Sequence, residues 1–328
     1  MRIFACFAIF AILTCLPAQA GLTIVPTYDT ASFIAAGYNV ATVENAFQYV
    51  INEYEAEYTN NVTVNINVQA STSTSVLGGS NSALLGFLGY SQTRAALQAD
   101  SAANPSNTAL AEALAPGGSL PAADPTGGGE FVINKSEAKA LGLFANDTAS
   151  DGTFTFGKQS YTFDPNNRQA AGEFDFIGVA EHEVSEIMGR IPILGFTGFN
   201  GLPAYDINDL YRFTAAGTHS LSPNNTGVYF SLNNGTTNLQ GFNGPNDGGD
   251  VDDYNGTNPT DPYNAFTGSH QGHALNSVDV ANMEALGWNP AQQSPVPEPT
   301  SILLLGTAAA FTVRVARRRG SRRGPSLR

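Results

Sequence analysis

With 328 residues, 13% of them charged, and a formal net charge of −13, the chain is long enough for one sizeable domain or two small ones. It is too acidic to favour nucleic acid or another polyanion as a partner. Its two cysteines, Cys6 and Cys15, both fall in the opening apolar segment, which excludes disulfides and thiolate-bound metals from the body and leaves His, Asp and Glu as metal donors.

The opening "MRIFACFAIFAILTCLPAQA" places a single Arg2 before an apolar run and ends in Ala18-Gln19-Ala20, the pattern of a secretory signal peptide over 1–20. Pro17 and Gln19 interrupt the run too early for a membrane span. Export removes the chain from nucleic acid and predicts a residence in the cell envelope or extracellular matrix.

Next, "LTIVPTYD" predicts a strand. "TVENAFQYVINEYEAEY" carries Val43, Phe47, Val50 and Ile51 at helical spacing, and "NVTVNINVQA" alternates strictly from Val62 to Val68. The order strand, helix, strand implies a parallel pair with a crossover helix, hence α/β or α+β organisation. A Gly, Ser, Ala and Pro-rich stretch over 71–129 reads as a surface insertion beside a cleft or as an ordinary loop, with one helix at "YSQTRAALQADSAA". "GEFVIN" and "GTFTFGKQSYTFD" predict strands, the latter a pair turning at Gly157-Lys158.

From Phe176 to Gly189, the apolar residues Ile177, Ala180, Val184, Ile187 and Met188 share one face of a predicted helix. His182 and Glu186, one turn apart, share the opposite face, and Glu183 lies between them and the flank of the apolar stripe. This is the layout of a zincin helix, in which two ligands face a cleft and a neighbouring carboxylate activates water. Where the zinc-protease motif HExxH has its second histidine, this chain has Glu186; zinc accepts carboxylate oxygen at about 2.0–2.2 Å, close to its distance from imidazole nitrogen. A carboxylate ligand donates charge, weakens the Lewis acid and moves the preference toward manganese or iron.

Beyond Arg212 the chain turns rich in Asn, Gly, Asp and Thr, predicting loops and short strands until "SVDVANMEALGW", where Val278, Met283 and Leu286 mark a final helix ended by Gly287. The acidic stretch 246–261 has a composition suited to calcium but not the spacing of an EF-hand, and reads as a solvated loop. Tyr205 and Tyr211 are candidates for an oxyanion-stabilising hydroxyl, although tyrosines beside Leu and Phe more often pack. His219 reads as a surface residue.

The chain closes with Val296-Pro297-Glu298-Pro299, a short apolar stretch and an arginine-rich tail. This is a stop-transfer pattern, and its three-part order resembles the PEP-CTERM sorting signal of Gram-negative bacteria. The resemblance implies a transient inner-membrane anchor and recognition by an exosortase near Pro297-Glu298-Pro299. Domain boundaries follow: signal peptide 1–20, a body over 21–292 and a sorting segment over 293–328. Within 21–297 the basic residues are Arg94, Lys135, Lys139, Lys158, Arg168, Arg190 and Arg212; the rest of the positive charge lies in the two ends.

"GEFDFIGVAEHEVSEIMGR", followed in order by "DLYRF", "GGDVDD", "YNAF" and "SVDVANMEALGW", resembles a family of bacterial PEP-CTERM-bearing metalloproteases, distantly similar to metzincins. The resemblance implies a zincin-like α+β domain with a mixed sheet, an active-site helix and a loop-rich C-terminal half. It also implies a zinc-dependent endopeptidase acting on protein or peptide, with His182 and Glu186 as ligands and Glu183 as general base. The metzincin pattern HExxHxxGxxH puts its third ligand where this chain has Pro192, which cannot coordinate. Asp209 in "DLYRF" is the first choice in its place, with His273, His270 and Asp206 as alternatives. The rival expectation is a non-catalytic matrix or surface protein that binds polysaccharide or protein on a degenerate protease fold.

Overall fold

The computed structural model describes residues 21–291; the expected signal peptide and sorting segment lie outside the described residues. Among the described residues no helix is long and apolar enough to cross a membrane.

Strand β1 (Thr23–Tyr28) leads through α1 (Thr30–Ala36) and α2 (Val40–Glu57) to β2 (Thr63–Ala70). The Asn39 side chain caps α2 by accepting from the Thr42 amide at 3.1 Å. The helix buries Val43, Phe47, Val50, Ile51 and Tyr54. Strand β2 buries Val64, Ile66 and Val68 and turns the residues between them outward, as period-two alternation requires. Strands β1 and β2 pair in parallel, Thr23 beside Thr63 and Tyr28 beside Val68, so the expected crossover is present.

The stretch expected as a long insertion is structured. It contains β3 (Gly78–Ser82), β4 (Leu84–Gly89), α3 (Tyr90–Ala103) and α4 (Thr108–Leu114). After it come β5 (Glu130–Asn134), α5 (Lys135–Ala140), β6 (Gly152–Phe156), β7 (Tyr161–Thr162), β8 (Phe174–Asp175) and α6 (Phe176–Ile187). The principal sheet has the order β1-β2-β6-β3. Its first three strands are parallel, and β3 runs antiparallel to β6 along the edge. The hairpin expected at Gly157-Lys158 does not form: β6 is already paired on both sides, by β2 and β3, and β7 pairs in parallel with β8 instead.

The C-terminal half is loop-rich, as its composition predicts. It holds β9 (Ala204–Tyr205), a 3₁₀ turn at Asn208–Tyr211, a small antiparallel sheet of β10 (Arg212–Ala215), β11 (Thr218–His219), β12 (Tyr229–Phe230) and β13 (Gln240–Gly241), and finally α7 (Ser277–Ala285). The whole is α+β. One continuous apolar cluster joins Phe33, Phe47, Phe154, Phe156 and Phe176 at the principal sheet to Met283 in α7 and to Leu286 and Trp288 just beyond it.

Helix α6 crosses this core and is buried on all sides rather than on one face. Asp175 caps its start, accepting from the Ile177 amide at 3.1 Å. At its end, where the last carbonyls of a helix lack intrahelical donors, the Asn134 amide donates to Ile187 O at 2.9 Å and the Trp288 indole to Met188 O at 2.8 Å. The chain then leaves through Gly189 at φ +143°, a conformation that side-chain-bearing residues rarely adopt.

In α7, burial pushes the Glu284 carboxyl up to about 7; a hydrogen bond with the Ala109 backbone opposes this shift and the Glu57 carboxylate adds to it. The folded value lies above that of an unfolded glutamate, so the folded chain retains a proton that the unfolded chain loses. The contribution of Glu284 to stability therefore falls as pH rises from about 4.5 through about 7. Glu284→Gln should flatten that dependence, gaining on the order of 1 kcal/mol over the parent at pH 8 and little at pH 4, a difference readable from urea midpoints at the two pH values.

Candidate metal centre

Helix α6 presents His182 and Glu186 one turn apart, and the loop carrying Val251–Tyr254 brings Asp253 against them. One donor atom from each of His182, Glu186 and Asp253 lies within 4.8 Å of the others. His182 Nε2 stands 3.3 Å from Glu186 Oε1 and 3.4 Å from Asp253 Oδ1. Donors at about 2.0–2.2 Å around a tetrahedral cation are about 3.4 Å apart, so the donor types and the two separations from His182 suit a small divalent ion.

Each donor is oriented by a partner behind it. His182 Nδ1 donates to the Pro262 carbonyl at 2.8 Å, which leaves Nε2 facing the carboxylates. The Ser80 hydroxyl of β3 donates to Glu186 Oε2 at 2.6 Å, and Arg190 Nη1 donates to Asp253 Oδ1 at 3.1 Å.

Burial alone would disfavour a charge on His182, but the carboxylates of Asp253 and then Glu186 outweigh it and push the imidazole up to about 10. Burial likewise works against an ionised Glu186, yet the hydrogen bond and charge of His182, with Arg190 and Ser80 behind them, hold it down at about 2. Glu183 goes the other way: burial, then the Glu186 charge, raise its carboxyl well above the usual range. A dication among these donors inverts that balance, favouring a neutral imidazole and ionised carboxylates.

Two cavities meet at this helix. One, of about 130 Å³, is lined by Leu77, Gly78, Val179, Pro262, Thr267 and His273; the other, of about 470 Å³, by Ser80, Leu84, Ile191, Ile193, Asp250 and Asp253. His182 and Glu183 line both. Gly78 is where β3 passes closest to α6: a Cβ there would lie 2.6 Å from Glu183 Oε1 and 2.6 Å from Val179 Cγ1.

Of the expected residues, His182, Glu183 and Glu186 are together, and Asp209 is elsewhere. Asp209 is fully buried in the 3₁₀ turn, where its Oδ2 accepts from the Asp206 amide at 3.0 Å while Asp206 Oδ1 accepts from the Asp209 amide at 2.9 Å. Arg212 lies beside it, Nε 3.8 Å from Asp209 Oδ1. Each aspartate thus gives one oxygen to the turn and keeps the other buried without a hydrogen-bond partner, and it is Asp253, not Asp209, that stands with His182 and Glu186. His273 is buried in the wall of the smaller cavity, with Nε2 2.8 Å from Thr267 Oγ1. His270 is exposed at φ +65°. His219 is half-buried, its ring 4.3 Å from that of Phe213. Tyr211 donates to Ala285 O at 2.6 Å and Tyr205 packs 5.9 Å from Phe131; both are packing residues.

Asp253 lies within the stretch read as a solvated acidic loop. The signal for it was the pair Arg190 and Arg212: arginines flanked by apolar residues are buried, and buried guanidiniums need carboxylates. Arg212 takes Asp252 at 2.8 Å and Arg190 takes Asp253, which draws the acidic loop inward.

Searched against known protein families, curated proteins and solved structures, the chain has no match.

Because β3 has no room for a side chain at Gly78, Gly78→Ala should displace Glu183 or move the strand. We expect a loss of about 1–3 kcal/mol in unfolding free energy, measured by chemical denaturation; an unchanged midpoint would show that the strand yields freely.

Proposed function

We propose that the chain is a zinc-dependent endopeptidase on a zincin-like domain, of the bacterial PEP-CTERM-bearing metalloprotease kind. Its metal ligands are His182, Glu186 and Asp253, and its general base is Glu183. The observation that carries this reading is the His182 ring: its Nδ1 is committed to the Pro262 carbonyl and its Nε2 faces two carboxylate oxygens at tetrahedral spacing. The arrangement of three parallel strands with β3 antiparallel at the edge, packed on α6, supports the zincin-like assignment. Manganese and iron suit the same donors.

When bound, the cation supplies a Lewis acid that polarises the scissile carbonyl and acidifies water. Glu183, at the junction of the two cavities, takes the proton from the attacking water and passes it to the leaving amine. An extended peptide lies along the larger cavity, between β3 and the Ile191–Ile193 and Gly248–Asp250 walls. Leu77 and Val179 give the smaller cavity an apolar lining for a substrate side chain. The expected signal peptide and sorting segment support export, a transient inner-membrane anchor and exosortase processing, with the mature protein acting in the envelope or matrix.

Glu183→Gln should lower peptide hydrolysis about 100- to 10,000-fold while zinc stays bound, as measured by turnover and elemental analysis of the same sample; undiminished turnover refutes the general-base role. Asp253→Asn should weaken zinc binding at least tenfold while Asp209→Asn leaves it unchanged, by chelator competition. Equal losses in the two variants would return the third ligand to question. Wild-type protein that takes up no metal under any loading favours the non-catalytic surface-binding reading instead.

A further inference from the structure

The third ligand arrives on a loop, and something must hold it there. Asp253 is 5% exposed. Among the described residues, the ion-pair partners of its carboxylate are the His182 ring and the Arg190 guanidinium. Only the guanidinium carries a permanent charge, since arginine does not lose its proton in proteins.

Arg190 is fixed more completely than charge alone requires. Gly189, with φ +143°, turns the chain back at the end of α6, and Arg190 runs beneath the helix with its side chain fully buried. Its Nε donates to Ser185 Oγ at 3.0 Å, and Ser185 Oγ in turn donates to His182 O at 2.6 Å. The guanidinium carbon lies 4.1 Å from the centre of the Tyr263 ring, and Nη1 also donates to Asp252 O at 3.2 Å. With Nε held at Ser185 and the guanidinium face on Tyr263, the same Nη1 that donates to the Asp252 carbonyl also donates to the Asp253 carboxylate at 3.1 Å, while the buried Nη2 has no hydrogen-bond partner.

We propose that Arg190 is the positioning residue of the metal centre, holding Asp253 in ligand position from just past the C-terminal end of the helix that carries His182 and Glu186. All three donors then belong to one frame: two sit on α6 and the third is held by a side chain anchored to α6 through Ser185. Arg212, which takes Asp252, secures the neighbouring residue of the loop but does not reach the donor. The inference rests on the metal-centre reading above and adds to it the group that assembles the site.

The test is a double-variant cycle in zinc affinity on the full-length protein, read by competition with a chromophoric chelator. Arg190→Gln should lower affinity about 10- to 100-fold, the usual effect of removing a partner behind a ligand. Placed in an Asp253→Asn background, Arg190→Gln should cause no further loss, because the residue acts through Asp253; a general packing role would lower affinity equally in both backgrounds. Equal losses, or an Arg190→Gln variant with wild-type affinity, overturn the proposal. If Arg190→Gln does not melt cooperatively, the same cycle is run with Arg190→Lys, which keeps the charge but not the fork. The loss should be smaller and should again vanish beside Asp253→Asn, and a loss that persists there overturns the proposal. Wild-type protein without zinc uptake overturns the metal-centre reading itself, whereas wild-type uptake with additive losses overturns only the role of Arg190.

Discussion

The hydrogen bond from His182 Nδ1 to the Pro262 carbonyl is the constraint on which the centre depends. A histidine on a buried helix can present either nitrogen, and a carbonyl can only accept, so this contact makes Nδ1 a donor, orients the ring and directs Nε2 inward. It also joins α6 to the segment that walls the smaller cavity. Removal of this one contact frees the ring to rotate and takes from Glu186 and Asp253 the cation they share, leaving Arg190 as the charge beside Asp253.

The parts of the fold that could be read from the sequence were those in which side-chain pattern and backbone agree. The alternation in β2 and the helical spacing of α2 bury the residues that their periods predict; the run Phe176 to Gly189 forms its helix and buries the predicted apolar face, but buries most of the opposite face as well. Strand β3 was invisible because "GGSNS" has no alternation: it is shaped by close approach to Glu183 and Val179, where glycine is needed for space and not for patterning. The supposed hairpin failed because β6 finds better partners far away in sequence, which no local turn signal encodes. In the site, two donors four residues apart follow from helix geometry alone. The third comes from a loop whose docking depends on two buried arginines. Asp209, the expected third ligand, lies in the 3₁₀ turn with Oδ2 on the Asp206 amide and outside the cluster of His182, Glu186 and Asp253.

Charge is distributed unevenly between interior and surface. Lys135 and Lys139 pair with Asp147 and Asp151, Arg168 with Asp175 and Glu181, Arg190 with Asp253 and Arg212 with Asp252. Five of the body's seven basic residues are thereby engaged with acids, most of them buried, and the acids left over give the solvent-facing surface its negative sign. Such buried pairs contribute less to stability than to specifying one arrangement, since desolvation offsets much of their attraction. The negative surface field is suited to drawing in cations and basic peptide segments.

The Trp288 indole reaches the Met188 carbonyl at the end of α6 from beyond the last helix of the domain. A ribosome delivers His182 and Glu186 well before it delivers Asp253, Pro262 and Trp288. A nascent chain therefore holds two donors without the third, and the helix bearing them lacks its final cap until almost the whole body has emerged. The three-donor cluster is in this sense a late product of translation, and an unfinished chain carries only a fragment of it.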